Sequence, residues 1–153
     1  MTTTPQPSSL PGPRPAASEL AAVAQALAGE QAAVYAYGVV GAKAGPTYRR
    51  AATEGLLAHG VMSDLLAAQL STAGESPAAA QPAYALPFVV RTVDEARRLA
   101  VHVEQSLAAT YADLVAAAAP PRRRDAATWL ARSAAQAHRW GGAAQAFPGL
   151  PER

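Results

Sequence analysis

The sequence contains no cysteine, and this absence excludes several kinds of chemistry. Without thiols the chain has no disulfide framework, no thiolate metal site and no cysteine nucleophile, and it suits a cytoplasmic protein. Aromatic residues are also scarce, at 6% of the chain, although 50% of the residues are hydrophobic. That balance is typical of alanine-rich helices rather than of strands, which are enriched in aromatic and β-branched residues. The composition and the length of 153 residues therefore predict one all-α domain.

Long apolar runs and clustered positive charge are missing as well. No stretch is apolar enough to cross a bilayer, and the N-terminus lacks the order of a signal peptide. The net charge is +2, and the only basic run, Arg122 to Arg124, is typical of a solvated first helical turn. We therefore expect neither nucleic acid nor a membrane among the partners. A Ser-His-Asp order and a glycine-rich phosphate loop are also absent, so no small-molecule substrate is indicated.

Proline and glycine divide the chain into a tail, four helices and one long connection. Residues 1–16 are rich in Pro, Ser and Thr, which predicts a disordered tail, whereas residues 17–152 form the predicted domain. The predicted helices run from an N-cap at Ser18 to Gly45, from Pro46 to Ala73, from a capping box at Thr92 and Glu95 to just before Pro120, and from Pro121 to Trp140. Three prolines exclude a helix between Glu75 and Arg91.

The lengths of the connections indicate the topology of the bundle. Short connections join antiparallel neighbours, while a long connection lets the next helix run parallel to the last one. At about 3.1 Å per residue, the segment from Glu75 to Arg91 is long enough to span the bundle. A short, long, short pattern with one central crossover is the ferritin-like arrangement. We therefore predict an all-α, ferritin-like four-helix bundle.

Two predicted helices carry a carboxylate where their apolar stripe requires a hydrophobic residue. Glu30 interrupts the stripe that runs from Leu20 to Gly41 in helix 1, and Glu104 interrupts the corresponding stripe of helix 3. An ionised carboxylate in the core is costly unless it has a cation, a metal ion or several hydrogen-bond donors beside it. The function of this protein therefore depends on what these two residues contact.

Counting residues from the predicted turns places two histidines near the two glutamates. Glu30 lies about 15 residues before the first turn and His59 about 14 residues after it, which puts them at about the same height. Glu104 and His138 bracket the second short turn in a similar way. The spacing therefore predicts one polar layer in the middle of the bundle, built from Glu30, His59, Glu104 and His138.

Several motifs resemble a family of small alanine-rich ferritin-like domains of unknown function. They are EQAAVYAYG in helix 1, AYALPF in the crossover, the pair Arg139 and Trp140, and FPGLPE at the end. In the wider superfamily, di-iron members use two single glutamates and two Glu-x-x-His pairs. The resemblance assigns Glu30 and Glu104 to the single glutamates, and His59 and His138 to the histidines. The bridging positions hold Leu56 and Ala135, so the resemblance implies a degenerate metal site.

Two interpretations of the layer remain open. In the first, Glu30 pairs with His59 and Glu104 pairs with His138, no cofactor is bound, and the bundle is a non-catalytic structural or interaction module. In the second, the four side chains hold one divalent ion, either iron, manganese or zinc, in a redox protein. We favour the first interpretation over an enzyme.

Other residues are expected to have packing roles. His102 falls on another face of helix 3 and is expected at the surface, while Tyr35, Tyr37 and Tyr111 are expected in the core with their hydroxyls paired. Trp129 and Trp140 share one helix face, which indicates packing under the crossover or in a subunit contact. Together with the hydrophobic content, this predicts a homodimer.

Overall fold

The computed structural model describes residues 15–150, which form four α-helices and no strands. The helices are α1 (Ala17–Lys43), α2 (Gly45–Thr72), α3 (Val93–Ala117) and α4 (Arg122–Arg139). The prediction of an all-helical chain is confirmed. Most of the predicted tail, residues 1–14, lies outside the described residues, as do residues 151 and 152 of the predicted domain. None of the described helices is long and apolar enough to cross a membrane.

The connections between the helices are short, long and short. Ala44 alone separates α1 from α2, and Gly45 permits the abrupt reversal because its φ of 66° is a conformation that side chains disfavour. Residues 73–92 connect α2 to α3, and residues 118–121 connect α3 to α4. The predicted capping box begins α3: the Thr92 side chain accepts a hydrogen bond from the Glu95 backbone, and the Glu95 side chain accepts one from Thr92.

The first helix begins differently from the prediction. Its N-cap residue is Ala16, not Ser18, and it makes no side-chain cap. Glu19 in the first turn is buried, and its carboxylate lies 2.6 Å from the Arg122 guanidinium and accepts a hydrogen bond from the Ala119 backbone. A contact with the start of α4 therefore holds this end of α1, where the sequence suggested a local cap.

Contacts at two heights give the directions of the helices. In α1 and α2, Gly41 lies beside Ala52 while Glu30 contacts His59, so the two helices are antiparallel. The corresponding pairs between α3 and α4 are Tyr111 with Trp129 and Arg97 with Trp140. Helix α1 also packs on α3, with Tyr37 bonded to Glu104 and Tyr111 bonded to Glu30, so these two helices are antiparallel as well. Helices α2 and α3 therefore run in the same direction.

The long connection follows α1 along the outside of the helices. Gln31 donates a hydrogen bond to the Ala78 carbonyl at 2.8 Å, and further along the Tyr35 and Tyr84 rings lie 5.9 Å apart. Near its end, Val90 is buried in the same hydrophobic cluster as Val40 and Ala44 at the end of α1. The connection therefore carries the chain along α1 to the start of α3.

In residues 15–150, the core consists of two hydrophobic clusters, one toward each end of the helices. The first includes Val23, Leu66 and Leu114, and the second includes Val40, Ala52 and Leu99. On α2 and α3, one buried polar residue separates residues of the first cluster from residues of the second, and on α1 the buried polar residue lies within the first cluster, between Leu27 and Ala33. These three polar residues are Glu30, His59 and Glu104. The fold therefore places a polar layer close to where the two clusters meet.

Candidate functional site

Five buried side chains form the centre of the molecule, and we call them the polar layer. They are Glu30 and Tyr37 from α1, His59 from α2, and Glu104 and Tyr111 from α3. Both carboxylates are only 1% exposed. Burying an ionised carboxylate this deeply is costly unless the protein itself supplies hydrogen bonds and an opposite charge.

His59 lies between the two carboxylates and contacts both. Its Nδ1 is 2.7 Å from Glu30 Oε2, and its Nε2 is 3.2 Å from Glu104 Oε1. Burial lowers the pKa of His59, but the hydrogen bonds to Glu104 and Glu30 and the charges of both outweigh it and raise the pKa from 6.5 to about 9. At neutral pH the ring is therefore an imidazolium that donates from both nitrogens.

The two tyrosines also donate hydrogen bonds to the carboxylates. Tyr37 donates its hydroxyl proton to Glu104 Oε1 at 2.6 Å, and Tyr111 donates to Glu30 Oε1. Burial, together with the charge of the adjacent glutamate, raises the pKa of each tyrosine above its ordinary value of 10. Both phenols therefore remain protonated donors.

Trp140 sets the direction of the Tyr37 hydrogen bond. The Trp140 Nε1 lies 3.0 Å from the Tyr37 hydroxyl oxygen. Because an indole N–H can only donate, Tyr37 accepts from Trp140 and gives its own proton to Glu104. The hydrogen bonds thus run from Trp140, at the end of α4, through Tyr37 to Glu104.

His138 does not belong to the polar layer, and this part of the sequence prediction is wrong. Its side chain is exposed, with Nδ1 3.2 Å from the Gly142 carbonyl. The inward face of α4 carries Ser133 and Ala137, which are buried, and one residue of offset rotates His138 by about 100° away from them. The predicted pair of Glu104 with His138 does not form, and His59 and Tyr37 contact Glu104 instead.

The sequence predicts Tyr37 and Tyr111 in the core but does not assign them to the polar layer. A signal for that role was present, since each tyrosine follows a buried glutamate by seven residues. Seven residues are about two helical turns, so glutamate and tyrosine share one face of the helix. The partners are crossed, however: each tyrosine bonds the glutamate of the other helix.

The two tryptophans pack within their own chain, and Trp140 belongs to the same hydrophobic cluster as Leu86 and Val90 of the crossover. Trp140 is buried, and its ring centroid lies 5.8 Å from that of Tyr48. Trp129 is half-buried, with its centroid 5.7 Å from that of Tyr111. The subunit contact that the sequence predicts for this pair stays a prediction.

His102 and Tyr35 lie outside the layer. His102 is exposed, as predicted, and borders a groove of about 200 Å³ between α1, α3 and residues 84–87 of the connection. Tyr35 is half-buried against Tyr84 at the surface, where we expected a core position.

The residues present do not fit a di-iron centre. The positions of the two bridging carboxylates hold Leu56, which is half-buried against the second hydrophobic cluster, and Ala135, which is exposed. Within residues 15–150, no group of three or more His, Asp or Glu side chains is arranged to hold a metal ion. Of the four candidate ligands, His138 points away, and Glu30, His59 and Glu104 come together as hydrogen-bond partners, with both ring nitrogens of His59 facing carboxylate oxygens.

A narrow cleft between α2 and α4 leads to the layer. Its walls include Gly55 and Met62 from α2, and Arg132 and Gln136 from α4. It leaves about 20 Å³ for the centre of a water-sized sphere, enough for one water molecule. Glu104 also borders this cleft, and its Oε2 is buried without a hydrogen-bond partner among the described residues.

The fold and the site together define a class of protein: a four-helix chain whose core holds a hydrogen-bonded layer of charged residues. Residues 22–152 match the model of a family described as "Domain of unknown function (DUF4439)", so the chain belongs to that family.

The chain is also similar to a solved structure, described as "Crystal structure of a conserved hypothetical protein, rv2844, from Mycobacterium tuberculosis". The two are 34% identical, with a TM-score of 0.77, and the match covers 80% of this chain and 94% of that chain. No curated protein matches the sequence. Neither description names an activity.

Proposed function

We propose that this protein is a ferritin-like four-helix bundle in which a salt-bridged layer stands where metal-binding relatives hold their ions. On this proposal it is a non-catalytic structural or interaction module of the cytoplasm. The short, long, short connections and the polar positions on three neighbouring helices support the ferritin-like assignment. The loss of both bridging carboxylates argues against dinuclear redox chemistry.

One observation carries the proposal: both ring nitrogens of His59 are occupied by carboxylate oxygens. A histidine ligates a metal through a deprotonated nitrogen. At neutral pH the raised pKa of His59 leaves neither nitrogen with a free lone pair. The imidazolium supplies a positive charge between Glu30 and Glu104, which is the role that a metal ion has in a carboxylate-rich bundle core.

Elemental analysis and NMR of the purified protein test this proposal. We expect protein purified without chelator to contain no stoichiometric metal and to melt at the same temperature with and without EDTA. We also expect the ¹⁵N shifts of His59 at pH 7 to be those of a doubly protonated ring. His102 and His138, which are exposed, provide internal references in the same spectra. Stoichiometric metal together with a singly protonated His59 would overturn the proposal.

A second candidate function is a redox protein that holds one iron, manganese or zinc ion. The unpartnered Glu104 Oε2 beside the cleft supports it, because a buried carboxylate oxygen normally has a partner. Metal binding requires His59 to lose a proton and to release one carboxylate, so it should strengthen as the pH rises. Glu104→Gln separates the candidates: it should abolish metal retention in a metal protein, and should weaken only folding stability in the salt-bridged one.

A further inference from the structure

Helix α2 has a second apolar face that the described part of the chain leaves uncovered. Its inward face packs in the core through Ala52, Met62, Leu66 and Leu70. On the opposite side Leu57 is 64% exposed, Val61 is 69% exposed and Leu65 is 41% exposed. We call Leu57, Val61, Leu65 and Ala68 the outer α2 stripe. A helix that is apolar on two faces is typically buried on both.

The outer α2 stripe is continuous and carries no charge. Its members follow one another at steps of four, four and three residues, so they form one ridge along about three turns of α2. The nearest charged residues, Glu54 and Asp64, lie beside this ridge or beyond its end. An uncharged ridge does not select an acidic or a basic partner, but it suits another uncharged ridge.

The stripe is also complementary to itself. Leu57 and Leu65 lie four residues before and after Val61. A twofold axis at Val61, with the helices antiparallel, brings each Leu57 against the Leu65 of the other copy and each Val61 against its own equivalent. That is the self-matching contact which a symmetric dimer requires.

From these observations we infer that two copies of this chain associate through the outer α2 stripe, with Val61 on the twofold axis. This inference rests on the proposed role as an interaction module and gives it a partner. It also places the homodimer contact on α2 and away from Trp129 and Trp140, which pack within their own chain.

The size of the stripe sets the strength of this dimer. Its exposed apolar surface is roughly 300 Å², which is as large as the largest apolar patch on many monomers. With the flanking side chains, helix pairing here should bury about 1,000 Å² in total, at the low end for specific complexes. We therefore expect a reversible dimer with a Kd on the order of micromolar.

Sedimentation equilibrium with matched charge substitutions tests the inference. Val61→Glu places a charge at the centre of the stripe, and Ala28→Glu places the same charge on the exposed face of α1. Both positions are exposed, so neither change should prevent folding. We expect the native chain and Ala28→Glu to form the same micromolar dimer, and Val61→Glu to bind its copy at least tenfold more weakly. A native chain that stays monomeric at several hundred micromolar, or a Val61→Glu variant that dimerises like the native chain, refutes the inference.

The absence of cysteine allows an independent crosslinking test. In the proposed dimer Val61 lies next to its equivalent, so Val61→Cys should form an intermolecular disulfide rapidly under mild oxidation. Ala28→Cys, the control, should remain mostly monomeric. Equal crosslinking of the two variants contradicts the proposed surface. The metal analysis above is a separate measurement, so failure of the dimer and failure of the metal-free proposal can be told apart.

Discussion

His59 is the side chain on which the polar layer depends, because it is the only cation among its five members. Two buried carboxylates without it would repel each other and would lack a compensating charge. The tyrosines donate hydrogen bonds but carry no charge. The contribution of the polar layer to the free energy of unfolding should therefore depend on pH and on which of its members is replaced.

The first prediction concerns pH. The pKa of His59 rises from 6.5 to about 9 on folding, so the stabilisation is fully present below pH 6.5 and is lost as the pH rises through about 9. At 1.36 kcal/mol per unit, the change in unfolding free energy is on the order of 3 kcal/mol. Denaturant unfolding at intervals from pH 6 to pH 9.5 measures it. His59→Leu should lack this dependence, and a native chain with a flat profile would show that the imidazolium is not what stabilises the layer.

The second prediction concerns the charges. Removing a single partner strands the others in the core, so His59→Leu should cost about 3 to 5 kcal/mol of unfolding free energy. Adding Glu30→Met and Glu104→Met to this variant removes the stranded carboxylates and should recover part of that loss. Denaturant unfolding of the single and triple variants checks it. A triple variant less stable than His59→Leu would mean that the carboxylates contribute independently of the histidine.

At the scale of the element, α2 shows how glycine positions a functional side chain. A Cβ atom added to Gly55 would lie 2.1 Å from Cε1 of Tyr37, so the Tyr37 ring packs where any side chain at 55 would be. Gly60, on the same helix, would place its Cβ in open space. Gly55 therefore permits the close approach of α1 and α2 that brings Tyr37 toward Glu104.

The third prediction uses this pair of glycines. Gly60→Ala should stabilise the protein by up to about 1 kcal/mol, because alanine has the higher helix propensity. Gly55→Ala makes the same change in propensity but displaces the Tyr37 ring, and overpacking of this kind should cost about 1 to 3 kcal/mol net. Thermal melts of the two variants measure the difference. Equal stabilisation by both substitutions would refute the tight contact between Gly55 and Tyr37.

For the whole molecule, the proposed dimer links stability to protein concentration. Association through the outer α2 stripe stabilises the native state by mass action, since unfolded chains do not form the interface.

The fourth prediction is that the Tm of the native chain rises as its concentration increases from about 1 to 100 micromolar, across the expected Kd. The Tm of Val61→Glu should not change over the same range. Calorimetry at several concentrations checks it, with Ala28→Glu as the control that should behave like the native chain. A native Tm that is independent of concentration contradicts a dimer that is linked to folding.

The helices, their connections and three polar positions could be predicted from the sequence. Proline, glycine and the Thr92 capping box mark boundaries through local backbone chemistry, and a carboxylate in an apolar stripe is conspicuous in α1 and α3. That His59 lies level with Glu30 can be found by counting residues back and forth from the turn between α1 and α2. The count is accurate because Ala44 alone forms that link. These features depend on short stretches of chain.

The rotation of α4 and the pairing within the layer were decided by the tertiary structure. Helix α4 is so rich in alanine that its faces look alike in sequence, and only packing shows that Ala137 turns inward and His138 outward. The bonds from Tyr37 to Glu104 and from Tyr111 to Glu30 cross between helices, so no local spacing encodes them. A buried charge is hydrogen-bonded by the donors that the packed helices place within about 3 Å of it. These donors can be far from it in the sequence, so only the tertiary structure identifies them.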